Sequence, residues 1–175
     1  MSKSDYLTKY LEFEPLWARA KEKIQMLSSA TSLGAAMHFD SHGILTVEYF
    51  SFIRSLLQLK GVTQFAVVSL KPDPFNYFHY HFNKYPAIIF RPEHDVRDFV
   101  DSLNADPGGS PADAISNNSE QYVLLPLPGD WIIYADLKQE LAVMSGPADV
   151  VHFARKHYPF NVFESNPGFT ILAKK

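Results

Sequence analysis

The run QYVLLPLPGDWIIYADLKQELAVMS occupies residues 121–145. Its apolar segments 121–127, 131–137 and 141–144 are strand-sized and rich in β-branched and aromatic residues. Pro128-Gly129-Asp130 and Lys138-Gln139 separate them. Links this short join antiparallel neighbours, so the run predicts a three-stranded meander. In 131–137, Trp131, Ile133 and Leu137 share one face, and Ile132, Tyr134 and Asp136 share the other. A strand apolar on both faces is either central and covered or part of a contact surface. Burial of Trp131 is the expectation.

Downstream, Ser145-Gly146-Pro147 opens a helix to about residue 157, with Val150, Val151 and Ala154 inward. Residues 169–173 are expected to close the sheet. Upstream, residues 104–119 hold Pro107, Gly108, Gly109, Pro111, Asn117 and Asn118. They read as a flexible loop without strand or helix character, a kind of segment that is usually either functional or disordered. Before it, 93–103 reads as a helix with Val96, Phe99, Val100 and Leu103 facing the core. Residues 87–90 form a buried strand.

The segment 75–82 reads as a helix capped by Asp73, with Pro74 first and Phe75, Phe78 and Phe82 as its buried stripe. Residues 62–70 read as a strand. Residues 46–60 are the clearest helix, with Thr46 as N-cap and Gly61 as left-handed terminator. A strand at 35–39 leads into a turn at 40–43, and residues 28–34 read as a loop. The N-terminal helical segment, 1–30, is expected as two helices, 4–13 and a second starting at Pro15. The second carries Leu16, Trp17, Ala20, Ile24 and Leu27 inward. Neither a repeat nor a composition shift marks a second domain. The order predicts one α+β domain over 1–175, with a mainly antiparallel sheet, a C-terminal meander and packed helices.

Composition narrows the chemistry. Among 175 residues, 46% are hydrophobic, 14 are Phe and 9 are Tyr, the balance of a globular chain with an aromatic core. The net charge of −3 gives no basic patch for a nucleic acid. Zero cysteines exclude disulfides, thiolate metal sites and cysteine nucleophiles. No apolar leader interrupts the charged first thirty residues, and no run has the ~18–20 apolar residues of a membrane span. A cytoplasmic protein without membrane association is expected. No glycine pattern of a dinucleotide or phosphate loop follows any predicted strand.

Three constellations remain. His38, Asp40 and His42 would share a face on an extended strand, with His79 and His81 near in sequence, and imidazole with carboxylate is metal chemistry. The turn at Ser41 and Gly43 breaks that face, so no metal and no cofactor is expected. Ser110 lacks a nucleophile elbow. Asp136 and Glu140 flank a hairpin turn with Lys138 between them, which reads as solvated charge. The third is a charge asymmetry: residues 93–120 carry seven acids against one base, Arg97. Clustered like charge speeds encounter with an oppositely charged partner.

The expected function is therefore a protein-binding or regulatory one. An acidic surface would neutralise or adapt a basic protein partner through Glu93, Asp95, Asp98, Asp101 and Asp106. The alternative is a small enzyme or ligand-binding domain with a pocket near the His-rich segment and the C-terminal hairpin. Nothing in the sequence bears on the oligomeric state.

Overall fold

The computed structural model describes residues 5–29, 36–109 and 111–171. Ser4, Ala35, Ser110 and Ala173, which the sequence reading uses, lie outside these, as does most of the 28–34 loop. Among the described residues the strands are β1 Ala36–Asp40, β2 Gln64–Lys71, β3 Ala87–Phe90, β4 Gln121–Leu127, β5 Ile132–Asp136, β6 Leu141–Ser145 and β7 Val162–Phe163. The helices are α1 Tyr10–Ser29, α2 Val47–Leu59, α3 Tyr80–Phe82, α4 Val96–Leu103, α5 Ile115–Asn118 and α6 Ala148–His157.

The strands form one antiparallel sheet in the order β3-β2-β4-β5-β6-β1-β7. Its centre is the predicted meander: Val123 pairs with Tyr134, and Tyr134 with Val143. An α+β fold results, and its sheet is apolar on both faces. Alternation sorts the side chains. Phe65, Val67, Tyr122, Leu124, Ile133 and Met144 pack with Ile53, Leu56 and Leu57 of α2, Phe99 and Leu103 of α4, and Val150 and Val151 of α6. Ala66, Val68, Val123, Leu125, Ile132, Tyr134 and Val143 pack instead with Phe13, Leu16 and Ala20 of α1. Trp131 is fully buried, as its position predicts. No helix among the described residues is long and apolar enough to cross a membrane.

The expected α2 caps are in place. Thr46 Oγ1 accepts from Tyr49 N (3.2 Å), and Gly61 has φ +64°. α4 starts later than residue 93, at Val96, because Asp95 and Asp98 form a capping box there.

Four expectations need correction. First, residues 5–9 are not helical, Leu7 forming a bridge with Tyr85, and α1 runs unbroken from Tyr10 through Pro15. Pro15 lies on the exposed side, so the Leu11 carbonyl it leaves without an N–H faces solvent. Second, Asp73 does cap the 75–82 segment, accepting from Phe75 N and Asn76 N, but Pro74–His79 is a π-turn. Its wider winding divides the phenylalanine stripe. Phe78 and Phe82 join the α2 side, whereas Phe75 packs against Phe13, Trp17 and Tyr85 on the α1 side.

Third, residues 104–119 contain a 3₁₀ turn, Pro111–Asp113, and α5. Tyr6 fastens them. Its hydroxyl donates to Ala105 O (2.8 Å) and accepts from Ile115 N (3.1 Å). Fourth, the sheet edge is β7 rather than 169–171. Asn166 Oδ1 accepts from Gly168 N and Phe169 N. The resulting turn lays Phe169 over Tyr134, 5.8 Å between ring centroids, as a cover and not a strand.

Candidate functional site

A cavity of about 160 Å³ lies on the α2 side of the sheet. Val67 of β2 and Tyr122 of β4 form its floor, and Leu103 of α4 and Ile115 and Ser116 of α5 line it from the helices. Leu137 comes from the β5–β6 hairpin, and Ser41, His42 and Ile44 from the 3₁₀ turn Ser41–Leu45 that follows β1. That turn is held locally. Asp40 Oδ1 accepts from His42 N (2.8 Å), Ser41 N donates to Glu140 O (3.1 Å), and Thr46 N donates to Gly43 O (3.1 Å). Gly43 carries the ring of Phe160 so closely that a Cβ there would lie 2.5 Å from it. On the opposite wall, Tyr6 fixes α5, and Ser116 Oγ donates to Asn104 Oδ1 (2.7 Å).

The lining is mostly apolar, with a few polar groups set into it. Tyr122 is one-twentieth exposed, and its hydroxyl makes no hydrogen bond among the described residues. Burial pushes that hydroxyl well above its ordinary pKa, and Tyr158 adds to the shift, so it stays a neutral O–H. Ser41 is 2% exposed, and its Oγ is buried without a partner. The fully buried Tyr49, electrostatically coupled to Tyr122, is likewise unpaired at its hydroxyl.

His42 stands exposed at the edge of the pocket. Its Nδ1 is 2.6 Å from Asp40 Oδ1, and its Nε2 is 3.8 Å from Glu140 Oε1. The hydrogen bond to Asp40, with that carboxylate's charge, raises the imidazole pKa. On Asp40, partial burial acts upward, but the bonds from His42 N and Nδ1 outweigh it and the carboxyl pKa falls.

The other sequence candidates lie apart from the pocket. The 3₁₀ turn breaks the shared face of His38, Asp40 and His42. His38 meets the edge of the Phe169 ring, and burial, then Arg155, lowers its pKa. His79 stacks on Tyr85 (4.5 Å), and His81 meets Tyr77 edge to face (4.8 Å). Among the described residues no three His, Asp or Glu side chains are placed to hold a metal.

Asp136 corrects the expectation of a solvated hairpin carboxylate. It is 4% exposed and accepts from Gln121 Nε2 (2.9 Å), Gln139 Nε2 (3.0 Å), Lys138 N (3.0 Å) and Gln139 N (3.0 Å). Glu140, at φ +59°, turns instead toward His42.

The acids of 93–120 mostly hold their own segment together. Asp95 and Asp98 cap α4. Asp106 accepts from Gly108 N (2.7 Å) and Asp113 N (3.2 Å), and Asp113 accepts from Tyr77 Oη and Asn118 Nδ2, both at 3.1 Å. Glu120 pairs with Lys71 (2.5 Å) and Lys138 (2.8 Å). Glu93, Asp95 and Asp101 are exposed and form no ion pair among the described residues. None of these acids lines the pocket.

Sequence reasoning missed Ser41, Ile115, Ser116 and Tyr122 as site residues. Six separate elements bring the lining together, and no local spacing marks them. No protein-family model, curated protein or solved structure matches the chain. Fold and geometry define a three-layer α+β domain with a small, mostly apolar pocket on one face of its sheet.

Proposed function

We propose that the chain is a small-ligand-binding domain whose site is the pocket over Val67 and Tyr122. The observation that carries this is Tyr122 Oη, which makes no hydrogen bond among the described residues and belongs to the lining of an otherwise apolar cavity. Buried polar groups without partners are uncommon, and convergent polar groups in an apolar cleft are the usual form of a ligand site. The position, beside the C-terminal hairpin and His42, supports the same reading. Binding is favoured over nucleophilic catalysis because, among the described residues, the His42 ring bonds Asp40 and no hydroxyl, so they assemble no nucleophile–base pair there. The cysteine-free composition fits a cytoplasmic location.

The test is thermal. A ligand present at about 100 times its Kd stabilises the folded state by about 2.7 kcal/mol. A panel of small neutral molecules is expected to contain compounds that raise the melting temperature of the native chain and not that of a Ser116→Phe variant, whose ring fills the cavity. A panel that moves neither protein speaks against the pocket.

A second reading rests on Glu93, Asp95 and Asp101, which leave an unpaired negative flank for a basic protein partner. Glu93→Gln with Asp101→Asn spares the capping box. In a complex formed through this flank, the double variant slows association several-fold and flattens its salt dependence. Unchanged association kinetics would remove this reading.

A further inference from the structure

Building on the pocket reading, we infer that the ligand is an uncharged molecule about one ring in size, carrying a hydrogen-bonding head group that pairs with Tyr122 Oη. Size comes first. An apolar cavity of about 150 Å³ accepts benzene, and this one measures about 160 Å³. Val67, Leu103 and Leu137 offer such a ring only dispersion and desolvation.

The head group follows from one hydroxyl. Tyr122 lines the cavity, is 5% exposed, and has no hydrogen bond among the described residues. A hydroxyl or carbonyl on the ligand would satisfy it, because a phenol can donate and accept. Burial keeps the Tyr122 phenol protonated.

Neutrality follows from the charges that face the cavity. Among the described residues no Lys, Arg, Asp or Glu lines it, and the titratable groups in the lining are Tyr122 and His42. His42 is bonded to Asp40 and faced by Glu140. An anion inside would meet only the His42 imidazole, whose charge Asp40 already answers and Glu140 faces. A cation would have no carboxylate among the described lining residues. Either would sit in the pocket without a free counter-charge, which is costly.

The experiment is calorimetric titration of the full chain with four probes of one shape class: toluene, p-cresol, benzoate and benzylamine. Wild type is compared with Tyr122→Phe and Ser116→Phe. The expected result is that p-cresol binds wild type at least tenfold more tightly than toluene. Tyr122→Phe reduces that advantage several-fold without weakening toluene, and Ser116→Phe binds neither. The toluene and p-cresol comparison on wild type carries the test if Tyr122→Phe fails to fold.

Equal binding of toluene and p-cresol to wild type, abolished by Ser116→Phe, would overturn the head-group assignment and leave the pocket reading standing. Tighter binding of benzoate or benzylamine than of p-cresol would overturn neutrality. Failure of all four probes on folded wild type would overturn both the inference and the reading beneath it.

Discussion

Asp136 ends β5 with both carboxylate oxygens satisfied by N–H donors. Burial pushes its pKa up, and the bonds from Gln139, Gln121 and Lys138 more than reverse that, so the folded-state value lies below the ordinary one. A lowered pKa means stability that is fully present above the unfolded carboxylate value and is lost as pH falls through the folded one. Asp136→Ala is expected to cost about 1–3 kcal/mol at pH 7 by leaving these donors unpaired. It should also flatten the loss of stability on acidification. Denaturant melts at pH 7 and pH 3 measure both, and an unchanged acid limb would contradict the assignment. Nearby, Trp131→Ala should cost about 3–5 kcal/mol as the loss of a large core aromatic. A Cβ on Gly146 would lie 2.5 Å from Trp131 Cβ and 3.1 Å from its Cα. Because backbone stands in the way, Gly146→Ala should destabilise by about 1–3 kcal/mol in the same melts. Trp131 was legible from alternation along one strand. The need for glycine at 146 was not, because the clash is with a strand fifteen residues earlier.

At the scale of elements, legibility followed locality. α2 carries a helical period of apolar residues, a Thr46 cap and a Gly61 stop within sixteen residues, and it forms where those signals place it. The meander is written in short turns between strand-sized runs. Residues 104–119 were illegible for the opposite reason. Their proline and glycine content reads as loop, while the two one-turn helices there are fastened by a tyrosine near the other end of the chain. Burial raises the pKa of that Tyr6 hydroxyl to about 12, so it remains the donor to Ala105 O throughout the working range. Tyr6→Phe removes the partner of Ile115 N and should cost about 1–3 kcal/mol. The expected signature is faster amide exchange confined to 105–119, with the central strands unchanged. Uniform acceleration across the sheet would show that the tie acts globally instead. The same locality explains the site: the His38, Asp40 and His42 spacing was visible and does not converge, and the pocket lining was invisible and does.

Over the whole molecule, the sheet is a partition between two apolar layers. α1 closes one side, and α2, α4 and α6 close the other, with the cavity lined there by α4, α5 and the 41–45 turn. Antiparallel sheets commonly leave one face to water, and here α1 removes that face. Ala20 is fully buried where α1 meets the sheet. Ala20→Leu should therefore overpack the layer and cost about 1–3 kcal/mol, read as a lower denaturation midpoint in one cooperative transition. An unaffected midpoint would mean that α1 sits looser on the sheet than its packing implies. Because the two layers are separated, a ligand on the α2 side should leave the α1 side spectroscopically silent. Methyl-resolved NMR of Ile-, Leu- and Val-labelled protein titrated with p-cresol tests this directly. The predicted result is saturable shifts at Ile44, Val67, Leu103, Ile115 and Leu137, following one binding curve, with Val68, Leu125 and Val143 still. Absence of a saturable shift at the first set, or equal shifts in both, would contradict the pocket.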